Sequence, residues 1–303
     1  MEACNSHYYA TRDPLGAAGD FTTAPEISQV FGEMVGAALA DCWTRAGAPA
    51  DAVYVELGPG RGTLASDALR VIRGAGFAGG VYFIETSPVL REIQRQSHPA
   101  AEWHDRLESL PTSGPLMLVA NEFFDALPVR QLIDGIERRI SLTSAGLAFD
   151  RDGEVIEDSP VRDEAAREIG ALLVERGGVA LVIDYGHSST GPGETLQAVR
   201  GHAFAPPLHK PGEQDLTTHV DFEALANAAT VGEVKVTRLV TQGEWLKRLG
   251  IGVRAAALAD ASPERAAELA AAVQRLTGKG EMGDLFKVIA IHSAAWPAPA
   301  GFE

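Results

Sequence analysis

The chain has 303 residues, 46% of them hydrophobic and 22% charged, with a formal net charge of -15. That length and balance describe one elaborated globular domain and exclude a disordered or low-complexity chain. The negative charge opposes broad contact with nucleic acid, two cysteines (Cys4 and Cys42) cannot form a disulfide framework or a zinc ribbon, and no apolar run is long enough for membrane insertion.

Residues 1–25 read as irregular and end in Gly19-Asp20-Phe21-Thr22-Thr23-Ala24-Pro25, with neither a basic start nor an apolar leader. A helix is predicted from Glu26 to about Gly47, because Ile27, Val30, Phe31, Met34, Val35, Ala38, Leu39 and Trp43 recur at spacings of three and four. Strand and helix signals then alternate: strand 53–57, a Gly-rich turn, helix 63–74, strand 81–84, helix 88–96, a short strand 102–104 and strand 116–120. Such alternation argues for an α/β fold of Rossmann-like type, a parallel sheet with helices on both faces. Between residues 129 and 150, two apolar runs flank Asp134-Gly135 and predict an inserted hairpin. A helix near Arg162 to Arg176 leads into strand 179–186. Residues 187–220 lack periodicity and read as a loop that serves as a substrate lid. Strand 234–240, a helix near Pro263 to Thr277 and strand 285–291 complete a single domain, with an N-terminal lid at 1–25 and an insertion near 187–260.

In an open parallel sheet, ligands bind beyond the carboxyl ends of the strands. The first such end, Glu56-Leu57-Gly58-Pro59-Gly60-Arg61-Gly62, allows a sharp bend with close backbone approach. Thr63 stands where a dinucleotide fingerprint needs its third glycine. Glu56 would repel a pyrophosphate and attract a cationic amino acid moiety, so the bend suits S-adenosylmethionine. Glu85 ends the second strand, where a carboxylate accepts hydrogen bonds from ribose hydroxyls, and Thr86 and Ser87 follow it. Trp103 and His104 are candidates to flank adenine. After strand 116–120, Asn121, Glu122 and Asp125 are candidate catalytic groups, the two carboxylates being suited to orient a guanidinium. His219 is a candidate proton acceptor, with helix capping by Asp221 as the rival reading of that cluster. No histidine or cysteine spacing suggests a metal.

The segments 19–28, Phe31-Gly32-Glu33, 56–64, 121–128, Asp184-Tyr185-Gly186 and 282–287 resemble the MidA-like family of class I methyltransferases. The resemblance implies a mostly parallel seven-stranded sheet whose last strand is antiparallel, with S-adenosylmethionine as cofactor. For the mitochondrial members it implies arginine methylation of a protein subunit of respiratory complex I during assembly. It places Gly58, Gly60 and Glu85 at the cofactor, Asn121 and Asp125 beside the methyl, and Gly19, Thr23 and Pro25 in a segment closing over the site. An additional N-terminal helical segment of the family is expected to be shortened here. The expected setting is the bacterial cytoplasm or, in a eukaryote, the mitochondrial matrix, and a homodimer is compatible with the chain. Two other readings stand beside methyl transfer: an assembly factor or chaperone with a vestigial cofactor site, and an NAD-dependent oxidoreductase, which Thr63 opposes.

Overall fold

The computed structural model describes residues 1–16 and 19–303. All five side chains of Val53–Leu57 (β1) are buried, because this strand lies in the middle of a sheet covered on both faces. Its residues alternate between two cores. Tyr54 joins Phe83, Met117, Leu181 and Val288 on one face, while Val53, Val55 and Leu57 join Leu118, Ala180, Val182 and Ile289 on the other.

The sheet also contains Val81–Ile84 (β2), Glu102–His104 (β3), Leu116–Asn121 (β4), Gly178–His187 (β5), Lys235–Val236 (β6) and Phe286–His292 (β7), in the order β6-β7-β5-β4-β1-β2-β3. β3, β2, β1, β4 and β5 are mutually parallel, whereas β7 runs antiparallel to both β5 and β6. The two-residue strands Val220–Asp221 and Val240–Thr241 extend it off this path. The mostly parallel sheet with an antiparallel last strand is therefore present. Strand order reverses at β1, between β2 and β4, so a crevice opens beyond Leu57, Ile84 and Asn121.

Several elements differ from the sequence reading. Residues 1–25 are not wholly irregular: Glu2–Thr11 forms a helix (α1) without a side-chain cap and with little amphipathic character. Tertiary bonds hold it instead, Asn5 Nδ2 donating to the carbonyls of Ala126 (2.9 Å) and Leu216 (2.8 Å). The helix expected from Glu26 is broken at Ser28, which caps Gln29–Arg45 (α2) by accepting from the Val30 amide. Thr63–Gly74 (α3) and Pro88–Ser97 (α4) follow their strands as predicted. The turn at Asp134-Gly135 has both residues at positive φ, 51° and 74°, as a two-residue hairpin requires. Its strands Arg130–Ile133 and Ile136–Glu137 are short, and the chain forms a second hairpin from Ile140–Thr143 and Gly146–Phe149. Pro160–Arg176 (α5) starts slightly ahead of prediction. The stretch read as a loop carries Gln197–Arg200, Ala203–Ala205 and Asp215–Thr217 as a three-stranded antiparallel sheet, ahead of Phe222–Ala229 (α6). Period-2 patterning cannot be seen in strands of three or four residues. No helix among the described residues is long and apolar enough to cross a membrane.

Candidate active site

The crevice is a cavity of about 630 Å³, roofed by α1 and floored by the ends of β1, β2 and β4. At the end of β1, Gly58 and Gly60 adopt φ of 59° and 57°, the left-handed region that costs other residues about 1–2 kcal/mol. Space is short as well. A Cβ on Gly60 would lie 2.7 Å from Leu15 Cδ1, and one on Gly58 would lie 3.1 Å from the Phe123 ring. The bend thus presents bare backbone to the cavity.

Two carboxylates flank that bend. Glu56 is buried, accepts the Tyr54 hydroxyl at 2.6 Å, and is pushed up to about 8 by desolvation. Glu85 accepts from the Ser87 amide at 2.8 Å and from Gln94 Nε2 at 3.3 Å, and burial raises its pKa above the usual carboxylate range. Gln94, which sequence reasoning missed, is fully buried on α4 and also donates to the Gly60 carbonyl at 2.6 Å. It ties the bend after β1 to the end of β2.

Trp103 and His104 do not line the cavity. Trp103 stands behind Gln94, donating to its Oε1 at 2.7 Å, and His104 turns toward Ser109 Oγ at 3.0 Å. Thr86 and Ser87 do line it, and Ser87 Oγ donates to the Tyr9 carbonyl of α1 at 2.6 Å.

Beyond β4, Asn121 and Glu122 reach the cavity together. Glu122 sits at φ 49° and its Oε1 accepts from the Ala24 amide at 3.0 Å and from Asn121 Nδ2 at 3.2 Å. Desolvation pushes Glu122 up to about 8. Asn121 Oδ1 is buried without a hydrogen-bond partner among the described residues, a deficit that a bound ligand donor would remove. Asp125 does not join Glu122 in the cavity lining as expected from the sequence. Its amide and that of Phe124 donate to Asp184 Oδ2 at 3.2 and 3.0 Å, which turns the chain inward and buries the Asp125 side chain away from the cavity. His219 also lies outside the cavity, its ring edge-on to Tyr185 at 5.4 Å, and burial lowers its pKa.

The N-terminal arm behaves as the motif at 19–28 suggested only in part. Thr23 and Pro25 line the cavity; Gly19 does not. Arg61 is the one basic residue of the lining among the described residues, and it donates to Asp13 at 2.8 Å, to Glu26 at 3.4 Å and to the Leu15 carbonyl at 2.6 Å. With that cation paired, the carboxyl groups of Glu56, Glu85 and Glu122, all raised in pKa by burial, face no free cation among the described residues of the lining, and a bound cation would draw them into the ionised form. Two opposite charges about 4 Å apart attract by roughly 4 kcal/mol at an effective dielectric near 20. Such a cavity favours a cationic ligand and disfavours a pyrophosphate. Among the described residues no cluster of three or more histidine, cysteine or acidic side chains is arranged to hold a metal.

An open sheet in this order, with a bare glycine bend after β1 and a carboxylate ending β2, is the architecture of class I S-adenosylmethionine-dependent methyltransferases. A family model described as "Putative S-adenosyl-L-methionine-dependent methyltransferase" matches residues 34–143 and 132–240, and the chain belongs to this MidA-like methyltransferase family. It is 36% identical to the protein arginine methyltransferase NDUFAF7 homolog, mitochondrial, of Drosophila melanogaster, over 94% of this chain and 77% of that protein. It is 32% identical to the human protein arginine methyltransferase NDUFAF7, mitochondrial, over 94% of this chain and 76% of that one. The fold matches a Burkholderia thailandensis protein crystallised with S-adenosyl-homocysteine at a TM-score of 0.84 and 25% identity, covering 99% of this chain and 88% of that one. The protein is an S-adenosylmethionine-dependent methyltransferase, and the glycine bend, the flanking carboxylates and the orphaned Asn121 oxygen fit that cofactor.

Proposed function

We propose that the protein methylates an arginine side chain of a protein substrate, a complex I subunit being the leading candidate, and that Glu122 orients the acceptor nitrogen. The observation that carries this reading is the cavity itself. Beyond the glycine bend it continues along Asn5, Ser6, Tyr9, Leu127 and Pro128, uncharged groups suited to the stem of a long side chain, and it also holds the carboxyl group of Glu122. The names of the curated relatives, protein arginine methyltransferase and mitochondrial, support both the acceptor and a matrix setting for relatives of that kind.

In this reading Gly58 and Gly60 admit the cofactor to the backbone, Glu56 faces its amino acid end, and Glu85 receives the ribose hydroxyls. Thr23 and Pro25 close that end, and residues 1–25 act as a lid. When bound, S-adenosylmethionine supplies an electrophilic methyl on a cationic sulfur. Glu122 Oε1 is held by the Ala24 amide and by Asn121, so Oε2 is the oxygen left to accept a guanidinium N–H and to point the nitrogen at the methyl. The guanidinium nitrogen sheds a proton as it gains the methyl. Glu122, pushed up to about 8, is matched to take that proton at Oε2 near neutral pH. Asp125 and His219 lie outside the cavity, and Asp125 reaches the site through its field, which adds to the upward shift of Glu122.

The test is transfer of labelled methyl from S-adenosylmethionine to proteins of a lysate lacking the native enzyme, followed by hydrolysis and amino acid analysis. Methylarginine in a protein band is expected. Label confined to small molecules, or to lysine, would refute the acceptor while leaving the enzyme class intact.

A further inference from the structure

The loop that carries Glu122 has no regular secondary structure, yet its backbone is bound at every turn. The Glu122 amide donates to the Ile183 carbonyl at 2.9 Å, the Phe124 and Asp125 amides donate to Asp184, and the Asp125 carbonyl accepts from the Thr218 amide at 3.1 Å. Two of its carbonyls, those of Phe124 and Asp125, also meet one side chain from α5. Arg162, on the first turn of α5 and 5% exposed, donates from Nε to the Phe124 carbonyl at 2.6 Å and from Nη2 to the Asp125 carbonyl at 3.0 Å. Nη1 donates to the His219 carbonyl at 2.7 Å, and Nη2 also reaches the Thr218 carbonyl at 3.2 Å and the Thr218 hydroxyl, sharing a hydrogen among its three acceptors.

A guanidinium buried among carboxylates would ordinarily form an ion pair. Here Asp125, Asp184 and Glu157 act on it through their fields, while its recorded hydrogen bonds run to four backbone carbonyls and one hydroxyl. The planar fork therefore serves to fix two segments, 124–125 and 218–219, at a set separation. Asn5 of α1 bridges the same two regions from the cavity side, at the carbonyls of Ala126 and Leu216. Glu122 stands at left-handed φ between these clamps, a conformation that persists only where its surroundings impose it.

We propose that Arg162 is a positioning residue for methyl transfer: it holds Glu122 in the reactive geometry through the Phe124 and Asp125 carbonyls, and keeps the seat on which α1 docks. This rests on Glu122 facing the acceptor. A lysine at 162 keeps the charge but has a single nitrogen and cannot reach both segments.

The experiment compares wild type with Arg162→Lys, Arg162→Ala and the milder Thr218→Val. It measures S-adenosylhomocysteine binding by calorimetry, amide exchange of residues 122–126 and of α1, and labelled-methyl transfer to the lysate. Arg162→Lys is expected to speed exchange of the Phe124 and Asp125 amides about tenfold and to lower transfer at least about tenfold, with the ligand Kd moving less than about threefold. Thr218→Val should shift exchange and transfer in the same direction by a smaller factor. Millimolar guanidinium, far below denaturing concentration, should restore slow exchange and transfer to Arg162→Ala. Unchanged exchange at 122–126 in either Lys or Val variant, or equal losses of ligand binding and transfer, would overturn the positioning role. If wild type binds ligand but labels no protein, the acceptor reading fails, and the exchange and rescue results still decide the role of Arg162.

Discussion

The two halves of the cavity are built in different ways. The half assigned to the cofactor, Gly58 and Gly60 after β1 and Glu85 after β2, directly follows parallel strands and is shaped by residues adjacent in sequence. Its acceptor half, Glu122 with Asn5 and Tyr9 of α1, is assembled from segments separated by 121 and 211 positions and held by single side chains. On the proposed function, local bends set affinity for the cofactor and distant ties set the geometry of the acceptor. Changes in the first half should therefore act on binding, and changes in the second on turnover.

The sharpest test of that division is Glu122→Gln. On the proposed function it removes the proton acceptor and should lower transfer by about 10²–10³-fold, in the range of lost general-base catalysis, while the Kd for S-adenosylhomocysteine by calorimetry stays within about threefold. Gly58→Val should do the reverse. Positive φ and contact with Phe123 cost the fold about 2–3 kcal/mol and should lower the melting temperature by several degrees, while the branched side chain denies the cofactor its approach to the backbone, so binding by the protein that remains folded should weaken more than about tenfold. Glu85→Ala loses charge-assisted hydrogen bonds worth about 1.5–3 kcal/mol, a 10- to 100-fold loss of affinity by the same calorimetry. A large drop in ligand affinity for Glu122→Gln, or none for Gly58→Val, would break the comparison.

How much of this was legible in the sequence follows the same line. The bend at 58–62 and the carboxylate at 85 declare themselves because each follows an apolar strand directly, and the parallel order follows from alternation. The place of Asn121 and Glu122 at the cavity is legible for the same reason. Asp125, only three residues further on, was misplaced, because the Asp184 carboxylate that draws its amide inward lies at the end of another strand. Arg162 and Gln94 carried no signal: each looks like a polar residue on a helix until the fold buries it. Helix α1 was missed because it lacks an apolar stripe and is stabilised by Asn5 and by Tyr9, whose hydroxyl donates to Asp215 at 2.7 Å.

Smaller effects sharpen the picture. Tyr9→Phe deletes one hydrogen bond from the roof, worth about 1 kcal/mol, and should raise amide exchange in α1 several-fold while leaving that of β1 unchanged. Asp215, pushed up to about 7 by burial, makes that roof proton-linked. A carboxyl whose pKa is raised by closure favours the closed form at low pH and loses that contribution as pH climbs through 7. Exchange in α1 should accordingly quicken between pH 6 and 8, and Asp215→Asn should flatten the profile.

Glu56 links the cofactor half to pH with the opposite sign. Burial holds its pKa at about 8 in the free protein, and the ammonium of a bound ligand favours the ionised form. Binding must then release a proton, and affinity must rise with pH toward 8, by at most about tenfold per pH unit for one group. Calorimetric titration with S-adenosylhomocysteine at pH 7, in two buffers of different ionisation enthalpy and beside an NADH control, tests this directly. One ligand per chain with net proton release, and no heat from NADH, is the predicted result; tight NADH binding, or no binding of S-adenosylhomocysteine, would contradict a cavity built for a cationic nucleoside.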